Sequence, residues 1–217
     1  MNNIIIVGAG GFAKELYSYI DLDIERKVLS NHTIKGFLDI NEDAFLDMKI
    51  DSLYLGDENN YQIEENDLFI VAIGNIKLRE KIINKLKTFN AKFFTYIHSS
   101  AIIAKNATIG EGVIICPNSI IQANVNIMDY CVINIFSGIG HDSTIGENSI
   151  LSPYCNLNGN VNAGDKLFMG TRSTILLGIS VGNNCSISAH TVLRSDIGDG
   201  IIVQDKPNQI QVKNRLI

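Results

Sequence analysis

The chain has 217 residues, with 18 Lys and Arg against 23 Asp and Glu, a formal charge of −5. That length can bury one large core or two small ones, and the acidic balance lacks the basic excess needed to neutralise a nucleic-acid backbone. No apolar run approaches the ~18 residues of a membrane span, and the opening MNNIIIVGAG has neither a charged leader nor a small-residue cleavage site. The expectation is a cytoplasmic, soluble protein with no nucleic-acid partner and no membrane insertion.

Residues 1–96 hold 26 charged side chains, whereas residues 97–217 hold 15. Exposed helices need charged faces, so helix is expected mainly in the first part. There, IIIVG (Ile4 to Gly8) reads as a buried strand followed by helical spacing from Phe12 to Ile20. IKGFLD (Ile34 to Asp39) and SLYLG (Ser52 to Gly56) are short strand candidates, and LFIVAIG (Leu68 to Gly74) is a second buried strand. In NIKLREKIINKLKTF, Leu78, Ile82, Ile83 and Leu86 form an apolar stripe with Lys and Arg on the other face. Strand and helix in alternation predict a small parallel α/β sheet, Rossmann-like, with ligands at the carboxyl ends of its strands.

The second part repeats with a period of six. Stepping by six from Ile97 to Leu193 visits 17 positions, of which 16 are large aliphatics and the exception is Ala163. The position four further on is mostly small, as at Ala101, Ser119, Cys131, Ser143 and Cys155. A hexad is too short for a strand with a crossover helix, but it makes one short strand and a corner. Three hexads then close a triangular coil of 18 residues, and successive coils stack at roughly 4.8 Å. Such a solenoid needs its ends capped. The α/β part can cover one end and the tail from Asp199 to Ile217 the other.

Of the four cysteines, Cys131, Cys155 and Cys185 occupy the small inward slot, where a thiol is a compact hydrophobe. Cys131 and Cys185 lie three coils apart on one side, about 14 Å by strand spacing, which no disulfide spans. Cys116 stays unassigned. Among the histidines, His141 occupies neither inward slot, sits in the middle coils, and alone precedes a carboxylate, Asp142, in GIGHDSTIG. A neutral imidazole held by an adjacent acid can act as a general base; the alternative is a solvated corner pair. Gly159 lies 18 residues beyond His141 and stacks above it with an unencumbered backbone amide. A base beside a free N–H supplies the minimum parts for acyl transfer. Thr171 and Ala189 are also 18 apart but stack on a different side, so one ligand touching both columns must cross two sides or lie between two subunits.

GAGGFAKEL, FLDI, AIGN, the single hexad register and GHDSTIG together resemble the bacterial sugar N- and O-acyltransferases that pair a Rossmann-like cap with a left-handed parallel β-helix. The resemblance covers nearly the whole chain and supplies the hand of the helix, which opposes the usual right-handed crossover. It implies a nucleotide-sugar-binding cap at 1–96, an all-β acyltransferase domain at 97–198 and a capping tail at 199–217. It further implies acetyl-CoA as cosubstrate and a homotrimer with sites between subunits. His141 would be the general base, oriented by Asp142. The Gly159 amide would bind the thioester carbonyl, and Thr171 and Ala189 would line the pantetheine path. Gly8, Gly10, Gly11, Phe12, Asp39, Gly74 and Asn75 would meet the nucleotide sugar, with Asp39 near the base. Members of the family often carry histidine where this chain has Phe12 and Ile150, and some a second acid where it has Ile40. The reading is N-acetylation of a nucleotide-linked 4-amino-4,6-dideoxyhexose in glycan biosynthesis, with O-acetylation of a sialic-acid-type sugar or a non-catalytic trimeric nucleotide-binding module as alternatives.

The loop from Gly8 to Ala13 also matches the dinucleotide fingerprint GxGxxA. About 95 residues leave room for only one mononucleotide-binding half, so a nucleotide diphosphate fits better than NAD. The spacing of His, Cys and acids suggests no metal site.

Overall fold

The computed structural model describes residues 1–205. The chain opens with β1 (Asn2–Val7), α1 (Gly11–Glu25), β2 (His32–Leu38), α2 (Glu42–Met48), β3 (Asp67–Val71), α3 (Ile76–Thr88) and β4 (Lys92–Phe93). The strands form a parallel sheet in the order β2-β1-β3-β4. Ile4, Ile5 and Ile6 are wholly buried, as a strand covered on both faces requires. Because the chain turns outward to β2 and then returns to β3, a crevice opens at the carboxyl ends of β1 and β3.

Some local expectations need correction. Ser52 to Gly56 makes only a single bridge, Phe37 with Tyr54, instead of a strand. The short helix α2 went unread, although Asn41 caps it by accepting from the Ala44 N–H. On α3, Leu78 is 48% exposed and leaves the apolar stripe. Arg79 is wholly buried instead of lying on the charged face. It donates to the Tyr130 carbonyl at 2.6 Å and to Asn148 Oδ1 at 2.9 Å, bolting α3 to the repeats.

From Tyr96 onward, two-residue strands stack in parallel on three sides of a left-handed β-helix, seven strands on side one, six on side two and five on side three. Partners on one side are 18 residues apart, as in Ile115, Ile133, Leu151 and Met169. The inner aliphatics merge into one continuous core, so the hexad register sets the fold. Buried serines close the corners, Ser143 Oγ donating to the Asn158 carbonyl and accepting from the Val161 N–H at 3.1 Å each. Such paired bonds satisfy polar groups that would otherwise be buried at a cost.

The α/β part does not cap an end of this solenoid. Outward residues on side one are apolar (Ile114, Val132, Ile150 and Phe168) and join one buried cluster with Ala13, Leu16 and Ile20 of α1, whose Phe12 and Glu15 share a cavity with Val132, Ile150 and Phe168. Asp23, buried in α1, adds a polar anchor, accepting from Tyr96 Oη at 2.9 Å and Ser99 Oγ at 2.7 Å. The tail also departs from expectation. Ile202–Val203 adds a further rung on side one, pairing Val203 with Ile187 after 16 residues instead of 18. The remainder of the proposed capping tail, 206–217, lies outside the described residues.

All four cysteines are buried and free. Burial pushes the thiols of Cys116 and Cys131 up to about 12, which keeps them protonated and unreactive. Ellman's reagent should therefore find no fast-reacting thiol in the native protein and four after denaturation; a stoichiometric fast phase without denaturant would contradict this packing.

Candidate active site

Glycine 8 starts the site in the cap. Its φ of 108° is open to glycine, and a Cβ there would stand 3.1 Å from the Ala72 carbonyl oxygen. The close approach brings the first loop against the Ala72–Gly74 turn. Asp39 fastens the loop from the β2 side, accepting from the Ala9 and Asn41 N–H groups at 2.8 Å each. Gly10 caps α1 without a side-chain hydrogen bond, and the first turn of this helix holds no acid. Its amide dipoles therefore face the crevice as a ready partner for a phosphate. Asn75 is committed to capping α3, accepting from the Leu78 N–H at 3.0 Å.

Two cavities flank the Ile73–Gly74 turn, and Ile73 lines both. One, of about 310 Å³, holds Gly8, Asp39, Glu58, Leu78, Lys81 and Lys85. The exposure of Leu78 thus belongs to a cavity wall. The other, of about 260 Å³, lies between α1 and the β-helix and holds Phe12, Glu15, Gly74, Asn134, Ile150 and Ser152. Phe12 and Ile150, unrelated in sequence, share this wall. Gly10, Gly11 and Asn75 line neither cavity.

His141 and Asp142 turn the corner from side two to side three. Asp142 adopts φ 57°, a left-handed conformation that Asp and Asn tolerate better than most side chains. Its Oδ2 meets His141 Nδ1 at 2.7 Å, and its Oδ1 accepts from Asn124 Nδ2 at 2.8 Å. Those bonds, Asn124 first and His141 second, hold the Asp142 carboxyl below its usual range. A carboxylate accepts only, so Nδ1 carries the imidazole proton and Nε2 presents its lone pair. Asn124 is a site residue that the sequence reading missed, although it lies 18 residues before Asp142 in the register already in hand.

Gly159 lies one coil above, at the same corner as His141. A Cβ on Gly159 would stand 2.6 Å from both Cε1 and Nε2 of His141, so glycine is required for the ring to lie there. The Gly159 N–H donates to nothing among the described residues. Gly159 is a wall of a groove of about 500 Å³ along side two, with Gln122, Gly138, Gly140, Asn158 and Leu177; His141 is not among its walls and lies against it through Gly159. At Gly140 a Cβ would meet the Asn158–Gly159 peptide at 2.5 Å, so the groove floor is shaped by absent side chains.

Thr171 and Ala189 stack at the opposite corner of side two, between sides one and two, and neither lines the groove. The cavity of Phe12 and Ile150 flanks that same corner through Ser152 and Pro153. A single protomer thus places the imidazole on one edge of side two and the cavity of Phe12 beyond the other.

Comparison with known proteins agrees with both parts. The family model for the PglD N-terminal domain matches residues 3–86. The bacterial transferase hexapeptide matches 124–159, and the hexapeptide repeat of succinyl-transferase matches 103–128 and 163–195. UDP-N-acetylbacillosamine N-acetyltransferase of Bacillus subtilis (strain 168) is 31% identical over 119 residues, 53% of this chain and 51% of that protein. GDP-perosamine N-acetyltransferase of Escherichia coli O157:H7 is 25% identical over 154 residues, 65% and 63% of the two chains. The matches thus span half to under two thirds of these relatives' length. Among solved structures, PerB from Caulobacter crescentus in complex with CoA and GDP-perosamine superposes with TM-score 0.79 at 26% identity, covering 93% of each chain. The acetyltransferase domain of PglB from Neisseria gonorrhoeae FA1090 shares the fold, with TM-score 0.77 at 22% identity over 93% of this chain and 96% of that one. The chain thus matches the PglD N-terminal domain over its α/β part and bacterial hexapeptide transferases over its β-helix, the two parts that its motifs resemble.

Proposed function

We propose that the protein is a cytoplasmic N-acetyltransferase that moves an acetyl group from acetyl-CoA to the amine of a nucleotide-linked 4-amino-4,6-dideoxyhexose, in bacterial glycan biosynthesis. The observation that carries this reading is the imidazole of His141 against Gly159, a residue that walls the open groove and whose N–H has no partner among the described residues. Residues 1–96 hold the nucleotide sugar and 97–198 perform the transfer. The diphosphate crosses at the amino end of α1, while the two cavities on either side of Ile73 take nucleoside and sugar. Phe12, Val132, Ile150 and Phe168 give the second cavity an apolar wall, which suits the methyl group of a 6-deoxysugar better than a hydroxymethyl.

Acetyl-CoA supplies the activated acyl group as a thioester when bound. Gly138, Gly140 and Asn158 floor its path, and Thr171 and Ala189 complete it from a neighbouring copy in a homotrimer. The placement of the parts supports that assembly, because one protomer sets the Phe12 cavity and His141 on opposite edges of side two. His141 Nε2 accepts the proton as the sugar amine attacks the acyl carbon. Asp142 stabilises the imidazolium, and the Gly159 N–H donates to the oxygen that gains charge. The imidazolium then returns the proton to the departing sulfur, so no bond to the protein forms.

Release of free thiol from acetyl-CoA in the presence of nucleotide-linked 4-amino-4,6-dideoxyhexoses tests the reading. His141→Asn should lower turnover by roughly 10²–10⁴ with oligomeric state unchanged; near-wild-type turnover would remove His141 from the chemistry. Faster thiol release with free sialic acid would favour the O-acetylating alternative, and silence with both acceptors would favour a binding module. Gly159→Ala, by pushing the ring aside, should cost about tenfold or more in kcat while thermal unfolding shifts by only a few degrees. Unimpaired turnover in Gly159→Ala would contradict the packing of the imidazole on this residue.

A further inference from the structure

The cavity at the carboxyl ends of β1 and β2 contains an arrangement that the transfer chemistry leaves unused. Glu58 lines it with only 6% of its side chain exposed, and its Oε1 receives Lys85 Nζ at 3.3 Å. Lys85 also reaches Asn59 Oδ1. This pair stands opposite Gly8 and Asp39, beyond the Ile73 turn as seen from the sugar cavity. Lys85 is paired with Glu58, and Asp39 offsets Lys81, so the cavity offers phosphates no net positive charge. The base is the part of the ligand that this cavity can read.

Because Lys85 Nζ meets Oε1, the pair offers a donor, then an acceptor, then a second acceptor in Oε2. The complementary edge carries an acceptor followed by two donors. Guanine has that edge in O6, N1–H and the N2 amino group. Uracil and thymine place an acceptor on each side of a single N–H, so one carbonyl would face a carboxylate oxygen. Cytosine, read in either direction, meets at least one acceptor with an acceptor or one donor with a donor. Adenine sets its amino group against the ammonium or its ring nitrogen against the carboxylate. Leu78 and Ile82 of α3 supply apolar surface for a base plane in the same cavity.

We infer that Glu58, set by Lys85, selects a guanine nucleotide as the carrier of the sugar. The inference rests on the nucleotide-sugar reading above and names the base within it. Glu58 is a specificity residue and takes no part in acyl transfer.

Isothermal titration of the full chain with GDP, UDP, dTDP and CDP tests it. GDP should bind at least tenfold more tightly than the other three, in line with the discrimination of a bidentate contact to a base. Glu58→Gln, which replaces one acceptor by a donor, should weaken GDP about tenfold and leave UDP within about twofold, with unchanged acetyl-CoA binding as evidence that the variant is folded. UDP or dTDP binding as tightly as GDP would overturn the base assignment and leave the nucleotide-sugar reading in place. Equal loss of GDP and UDP in a folded Glu58→Gln protein would overturn it too, because the carboxylate would then read no base. Failure of all four diphosphates to bind would overturn both readings.

Discussion

An 18-residue coil, held by parallel backbone ladders and an inner column of aliphatics, is the constraint on which the rest of this molecule depends. Strand side chains alternate between faces, so a slip of one residue would turn Ile133 and Leu151 outward and bring Val132 and Ile150 in. Serines at the corners make the register stricter, since Ser137 and Ser143 each bond both to a carbonyl of the next coil and to one of its N–H groups. With that spacing held, what happens at one coil fixes what can stand above it. Gly159 must be glycine because His141 lies one coil below, and Asp142 is steadied by Asn124 because they too are one coil apart.

The same constraint determines where the α/β part sits. Side three shows polar groups outward at Asn126, Thr144 and Asn162, and side two mixes exposed Ile102 and Ile120 with Gly138, Asn156 and Thr174, whereas side one shows Ile114, Val132, Ile150 and Phe168 in succession. Burying each such side chain favours association by roughly 1.5–3 kcal/mol, and α1 lies along that side in consequence. Asp23 and Arg79 then fix its orientation, one at each flank, through bonds to Tyr96 and Ser99 and to Tyr130 and Asn148. Lateral docking in place of end-capping creates the cavity in which Phe12 of the cap and Ile150 of the repeats share a wall. A ligand seated against this wall would therefore touch residues from both parts of the chain.

Much of this was legible because the repeat converts sequence distance into spatial distance. The inner ladder, the slots of Cys131, Cys155 and Cys185, and the stacking of Gly159 on His141 all follow from counting. Counting by 18 along the outward positions of side one would also have revealed the docking face for α1, and the same step back from Asp142 reaches Asn124. The cap was less legible because its contacts join segments with no fixed spacing. Arg79 reads as a surface charge until the Tyr130 carbonyl is placed beside it, and Leu78 reads as core until the cavity next to Gly8 is formed. The 16-residue step that ends the β-helix, from Ile187 to Val203, falls where the hexad pattern itself has lapsed at Asp199.

Acyl transfer as proposed requires that the coil register set His141 against the Gly159 N–H, where thioester and amine would meet. A crystal structure of the His141→Asn protein with acetyl-CoA and a nucleotide-linked aminosugar tests it most directly. The account predicts the thioester carbonyl within hydrogen-bonding distance of the Gly159 N–H, the sugar amine about 3–3.5 Å from the acyl carbon, and the nucleotide running past Ile73 in the cap. A thioester bound at another corner, or an amine directed away from residue 141, would contradict it.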